Sequence, residues 1–169
     1  ATIDGDSMKN TLIGANRITG TIGDKVIITN FNYEPAQGDI VVVSRNVENS
    51  VNAQSTSAAP IIKRVIATEG QTVDIDFERG IVYVDGAALE EPYINNLTTN
   101  PEGTVFPLTV EENCIFALGD NRQVSRDSRD PIIGQIDERE ILGKALFLML
   151  PGTSHGHYSR DFSRIGVIS

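Results

Sequence analysis

Ile61-Ile62-Lys63-Arg64-Val65-Ile66-Ala67 sets two basic residues inside a run of branched aliphatics. Side chains of this type over this length predict a buried strand. A strand alternates its faces, so Lys63 shares a side with Ile61 and Val65. An ammonium held among aliphatics loses hydration, and desolvation favours the neutral amine; full burial lowers a lysine pKa by up to ~3–5 units. Of the four lysines in the chain, this one alone has strand-type hydrophobic residues on both sides. The plainer reading is a strand whose lysine reaches water along its aliphatic stem. The chemical reading is a base, because a neutral amine can take the proton of a serine hydroxyl. A serine to receive it, Ser7, stands in Asp4-Gly5-Asp6-Ser7-Met8.

Outward from this run, the chain is built of short β-rich stretches between turn residues. Lys25-Val26-Ile27-Ile28-Thr29 precedes a turn ending Glu34-Pro35-Ala36-Gln37-Gly38, and Asp39-Ile40-Val41-Val42-Val43 is apolar enough for a strand covered on both faces. Thr72–Asp76 and Gly80–Val84 follow, and Asp85-Gly86 after them is a tight-turn signal. Cys114–Leu118 and Ala145–Leu150 complete the set. Helical signals are few: one or two turns over Asp137–Leu142, with Asp137 as cap and Gly143 closing it, and a short turn within Ser7–Ile13. The expected fold is therefore mainly β, a coiled or barrel-like antiparallel sheet with few short helices.

At 169 residues the chain predicts a single domain over 1–169. The polar, aromatic-free stretch 44–60 is expected to be a flexible loop, and 86–113 a small insertion or hairpin region. Hydrophobic residues make up 40% and charged residues 22%, as in ordinary globular chains. A net charge of −9 without a basic block argues against a nucleic-acid partner and against an electrostatic grip on anionic lipid. The single cysteine, Cys114, excludes an internal disulfide and is expected to be a buried thiol. No metal or cofactor is expected, since His155-Gly156-His157 lacks a third ligand at sensible spacing. No stretch approaches the ~18 apolar residues needed to span a bilayer. The chain also starts without an initiator Met or charged leader, so it is expected to be a fragment trimmed at its N-terminus.

The remaining segment with chemical content is Gly119-Asp120-Asn121-Arg122-Gln123-Val124-Ser125-Arg126-Asp127-Ser128-Arg129. It follows a buried-type strand and concentrates acids, bases, hydroxyls and a glycine. It fits either a solvated loop held by Asx turns or a rigid one in which an Asp–Arg pair fixes the backbone and a hydroxyl such as Ser125 orients an amine.

These segments, in this order, resemble the boxes of the type I signal peptidases, Gram-positive members above all. Gly5-Asp6-Ser7-Met8 with Thr11-Leu12 is similar to the nucleophile box, and Gly38–Val42 to the buried strand. Lys63–Ile66 with Gly70–Val73 is similar to the lysine box, and Gly119–Arg129 with Gly134 to the last box. Val82–Gly86 and Glu91-Pro92-Tyr93-Ile94 resemble a hairpin of the Gram-positive members. Gly5 stands where some relatives carry a serine as second oxyanion donor, and Asn10 where proline is usual.

The resemblance implies a membrane-bound serine endopeptidase that removes signal peptides from exported preproteins after small residues. Ser7 is implied as nucleophile and Lys63 as general base, through an acyl-enzyme. Ser125 is implied to hydrogen-bond and aim the lysine, Asp120 and Arg129 to form a structural ion pair, and Asp127 to support the same loop. By position, Ile3, Met8, Leu12 and Ile62 would line shallow pockets, or belong to ordinary core. The partners implied are preprotein signal peptides and the membrane, through an N-terminal transmembrane helix upstream of Ala1. The catalytic domain would then lie on the extracytoplasmic side of the cell membrane. A signal-peptidase-like accessory factor, as in pilus biogenesis, is the alternative. A LexA-like self-cleaving repressor protease fits less well, because that group lacks the Gly119–Arg129 box.

Overall fold

The computed structural model describes residues 1–45, 58–153 and 159–169. The stretch expected to be a flexible loop, 44–60, lies mainly outside the described residues, as do His155 and His157. Eleven strands are found among the described residues: β1 (Lys25–Thr29), β2 (Ile40–Arg45), β3 (Ala58–Thr68), β4 (Thr72–Asp76), β5 (Ile81–Val84), β6 (Ala87–Ala88), β7 (Leu108–Thr109), β8 (Cys114–Leu118), β9 (Ile136–Asp137), β10 (Ile141–Leu150) and β11 (Gly166–Val167). All strand pairings are antiparallel.

The larger sheet runs β1-β10-β2-β3-β8-β9, with β11 added to β10; the smaller runs β6-β5-β4-β7. Strand β2 is covered on both faces, as its unbroken apolar run requires. Ile40 and Val42 join one core cluster with Ile3, Met8, Leu12, Ile62 and Leu148, while Val41 and Val43 join another with Ile61, Val65 and Ile115. A third cluster, with Ile66, Val73, Val82 and Phe116, seals the smaller sheet against the larger. Within the smaller sheet, Asp85 and Gly86 form the two-residue loop between Val84 and Ala87, both at positive φ (51° and 81°), as the tight-turn signal demands. Segment 86–113 supplies β6 and β7 to this sheet, beside β4 and β5.

Two expectations are corrected. The helical turn is only a 3-10 turn over Glu138–Glu140, capped by Asp137, which accepts from Arg139 N. Ile141–Gly143 do not extend it, because they start β10, where Ile141 pairs with Val43 and Gly143 with Val42 across a bulge at Leu142. Cys114 is half-buried rather than buried, since it opens β8 at the sheet margin opposite Asp137. Partial burial, then the nearby carboxylates of Asp137 and Glu111, push its thiol pKa up.

Candidate active site

Strand β3 is paired along two edges for only part of its length. Ile61 to Arg64 face β2, but β8 takes up the other edge only from Arg64 onward. The edge beside Ile61–Lys63 therefore has no strand partner among the described residues. The loop carrying Ser7 is anchored next to it. Ala1–Ile3 lies along β1, with Thr2 bridging Lys25 and Ile3 N donating to Asp24 O at 2.8 Å. Beyond Gly5 the chain turns through Asp6–Leu12, closed by Lys9 N to Asp6 O and Leu12 N to Met8 O. Gly5 has φ +72°, in the left-handed region where a Cβ is strained, which explains why glycine stands here.

Lys63 is 3% exposed and its Nζ lies 3.1 Å from Ser7 Oγ and 2.9 Å from Ile62 O. Residues 56 positions apart in sequence are thus in hydrogen-bond contact, and the half-buried serine faces a deeply buried amine. Protonated, that amine donates to Ser7 Oγ; deprotonated, it is placed to accept the hydroxyl proton.

The Gly119–Arg129 segment is buried except at Gln123, Val124 and Arg126, and it clamps the Ser7 turn. Asn121 N donates to Ser7 O at 2.9 Å, and Asn121 Nδ2 to Asp6 O at 3.0 Å. Gly119 sits so close that a Cβ there would lie 2.1 Å from Ser125 Oγ and 2.6 Å from Ser7 O. A side chain is therefore excluded at Gly119, and Ser125 packs directly behind the nucleophile. The hydrogen bond from Ser125 to the lysine is not formed, however. Its Oγ is buried without a hydrogen-bond partner among the described residues.

The expected Asp120–Arg129 pair is also corrected. Asp120 takes a two-pronged ion pair from Arg64, with Nε to Oδ1 and Nη2 to Oδ2 both at 2.9 Å, plus the Thr11 hydroxyl at 2.5 Å. The reason is register: Arg64 pairs with Leu118, so its side chain meets the residue two places beyond the end of β8. Arg129 instead binds Asp127, two residues away, at 2.8 and 3.0 Å, and donates to the carbonyls of Arg122 and Ser125. Asp127 also accepts from Gly119 N, so it supports the loop from within.

Sequence reasoning passed over four contributors. Arg64 stacks 3.8 Å above the ring of Tyr93, whose hydroxyl pKa is pushed up to about 12 by burial, then by Glu91. Arg122 forks onto Glu91 and donates to Thr98, joining the 91–98 segment to the site. Asn121 and Thr11 complete the set. An arginine in an apolar strand, as Arg64 is, signals a buried acid partner but not its identity. Ile3, Met8, Leu12 and Ile62 are all buried in one core cluster with Val26, Ile40, Val42, Ala145 and Leu148. No group of side chains suited to hold a metal is found among the described residues.

A sequence profile of the family described as "Signal peptidase, peptidase S26" matches residues 1–150. The chain is 35% identical over 137 residues to "Probable signal peptidase I-1" of Synechocystis sp., covering 79% of this chain and 66% of that one. It is 30% identical over 178 residues to signal peptidase IB of Staphylococcus aureus, covering 92% and 80%. A crystal structure of a signal peptidase I from Enterococcus faecalis V583 matches with TM-score 0.50 and 26% identity, over 66% of this chain and 97% of that one. The mainly antiparallel β fold and these matches define a signal peptidase domain. The chain belongs to the signal peptidase family, peptidase S26. It spans about two thirds of the length of the first curated relatives it matches.

Proposed function

We propose that this domain is a serine endopeptidase that cleaves signal peptides from preproteins through a Ser7–Lys63 dyad. The observation that carries the proposal is the 3.1 Å approach of a buried lysine Nζ to Ser7 Oγ. Lys63 in its neutral form takes the Ser7 proton as Oγ attacks the scissile carbonyl. The resulting ammonium gives that proton to the leaving amine, which frees the acyl-enzyme. Lys63, neutral again, then takes a proton from water, whose attack on the ester releases the product and restores Ser7. The Ser7 N–H meets the developing oxyanion; such a donor typically contributes ~3–4 kcal/mol to lowering the barrier.

The unpaired β3 edge beside Ile61–Lys63 suits a substrate segment bound as an added strand. Ile3, Met8, Leu12 and Ile62 belong to the apolar core under the Ser7 loop, and the selection of small side chains next to the cleaved bond is read from family membership. The finer placement, a single-pass membrane protein with this domain on the extracytoplasmic side, rests on family membership. Among the described residues no helix is long and apolar enough to cross a membrane. The test is cleavage of a preprotein in detergent by wild type, Ser7→Ala and Lys63→Ala. Both variants are expected to lose turnover while keeping the thermal transition, and undiminished turnover in either refutes the dyad.

A further inference from the structure

The loop that carries Ser7 has both feet on one residue. Ile3 N, at its start, donates to Asp24 O, and Asp24 N donates to Ile13 O at its end, both at 2.8 Å. Ile13 N also donates to Asp24 Oδ2 at 2.7 Å. The Asp24 carboxylate is fully buried, and beyond the loop it accepts from Gly152 N at 2.6 Å. Its countercharge comes from Arg164, whose Nη1 lies 3.0 Å from Oδ1 and Nη2 2.7 Å from Oδ2. The same Nη2 reaches Thr11 O, inside the Ser7 loop, at 3.4 Å. Thr11 Oγ1 in turn bonds Asp120, the partner of Arg64, which follows Lys63 in β3.

Arg164 lies in the tail after β10, beyond residues 1–150 that the family profile matches. The tail is fastened at several further points. Thr153 N donates to Ile22 O, Ile22 N to Thr153 Oγ1, and β11 pairs with β10. A forked guanidinium on a buried carboxylate is a stiff, directional contact. It stiffens the residue that sets the height of the Ser7 loop over β3.

We infer that Arg164 is a positioning residue for cleavage: through Asp24 and the Thr11 carbonyl, the tail holds the Ser7 loop at the distance from Lys63 that proton transfer needs. The inference rests on the Ser7–Lys63 dyad proposed above. A misplacement of about 1 Å at a reacting group costs on the order of a hundredfold in rate. The Arg164 guanidinium is engaged by Asp24 and Thr11 O, so its effect falls on turnover rather than on binding.

The experiment measures kcat and KM for preprotein cleavage in Arg164→Gln, Arg164→Lys and the double variant Asp24→Asn/Arg164→Gln. Val82→Ala, in the core of the smaller sheet, serves as a control for lost stability alone. Arg164→Gln is expected to lower kcat about ten- to a hundredfold, with KM within about twofold, and Arg164→Lys to fall between it and wild type. If Arg164→Gln does not fold because Asp24 is left unpaired, the double variant removes that charge and decides the matter; its kcat is expected to stay at least about tenfold below wild type. A wild-type kcat in the folded variants overturns the inference. So does a loss no larger than that of Val82→Ala measured equally far below its own thermal transition. Ser7→Ala run alongside separates the two proposals: turnover there removes the dyad and the inference with it, whereas an inactive Ser7→Ala beside a wild-type kcat in Arg164→Gln overturns the inference alone.

Discussion

Asn121 holds the nucleophile turn by two consecutive carbonyls: its side-chain amide donates to Asp6 O and its backbone N–H to Ser7 O. Its own Oδ1 accepts from Asn95 Nδ2, so the amide orientation is fixed from the other side. Asn121→Asp keeps the shape, removes the donor, and sets a carboxylate against the Asp6 carbonyl. It is expected to lower kcat by about tenfold or more with KM little changed. Steady-state kinetics check this, and an unchanged kcat would show that the turn holds itself.

The Arg64–Asp120 pair is buried on both sides, at 2% and 0% exposure. Removing one partner of such a pair leaves an uncompensated charge and costs about 3–5 kcal/mol. Asp120→Ala is therefore expected to lower the thermal midpoint by roughly 6–20 °C for a chain of this size. Arg64→Met combined with Asp120→Leu should recover much of that loss, because no lone charge remains. Additive losses in the double variant would contradict the pairing.

The distribution of these pairs marks the limit of what the sequence carries. Strands β1, β4 and β8 coincide with the runs Lys25–Thr29, Thr72–Asp76 and Cys114–Leu118, because β-branched runs bounded by turn residues leave little choice. The Ser7 and Lys63 candidates were legible for a related reason, each being chemically out of place in its surroundings. Ion-pair partners were not. Asp120 lies near three arginines in its own segment but takes Arg64, and only the β3–β8 register decides that. Gly143 likewise ends no helix, since pairing with Val42 outweighs a local stop signal.

A serine at position 5 would restore the side-chain oxyanion donor that some relatives carry. The structure argues that it would not help here. Gly5 is at φ +72°, and although an added Cβ meets nothing within 4 Å, an L-residue there costs about 1–2 kcal/mol. That strain falls on the segment leading directly into Ser7. Gly5→Ser is expected to lower kcat several-fold, and a gain in kcat would mean that the loop relaxes to accept it.

Glu102 gives a stability signature on the opposite side of the last box. Its pKa is raised, first by burial, which outweighs the pull of Arg129 at 3.5 Å, and then by Asp127. A carboxyl whose folded pKa lies above its unfolded value binds more protons in the native state. Its contribution to stability is thus fullest below the unfolded pKa and is lost as pH rises through the folded one. Glu102→Gln keeps the shape and cannot ionise. The variant's thermal midpoint should gain on wild type as pH rises across that window, with the two converging in acid. Parallel curves for the two proteins would show that Glu102 is not the group responsible.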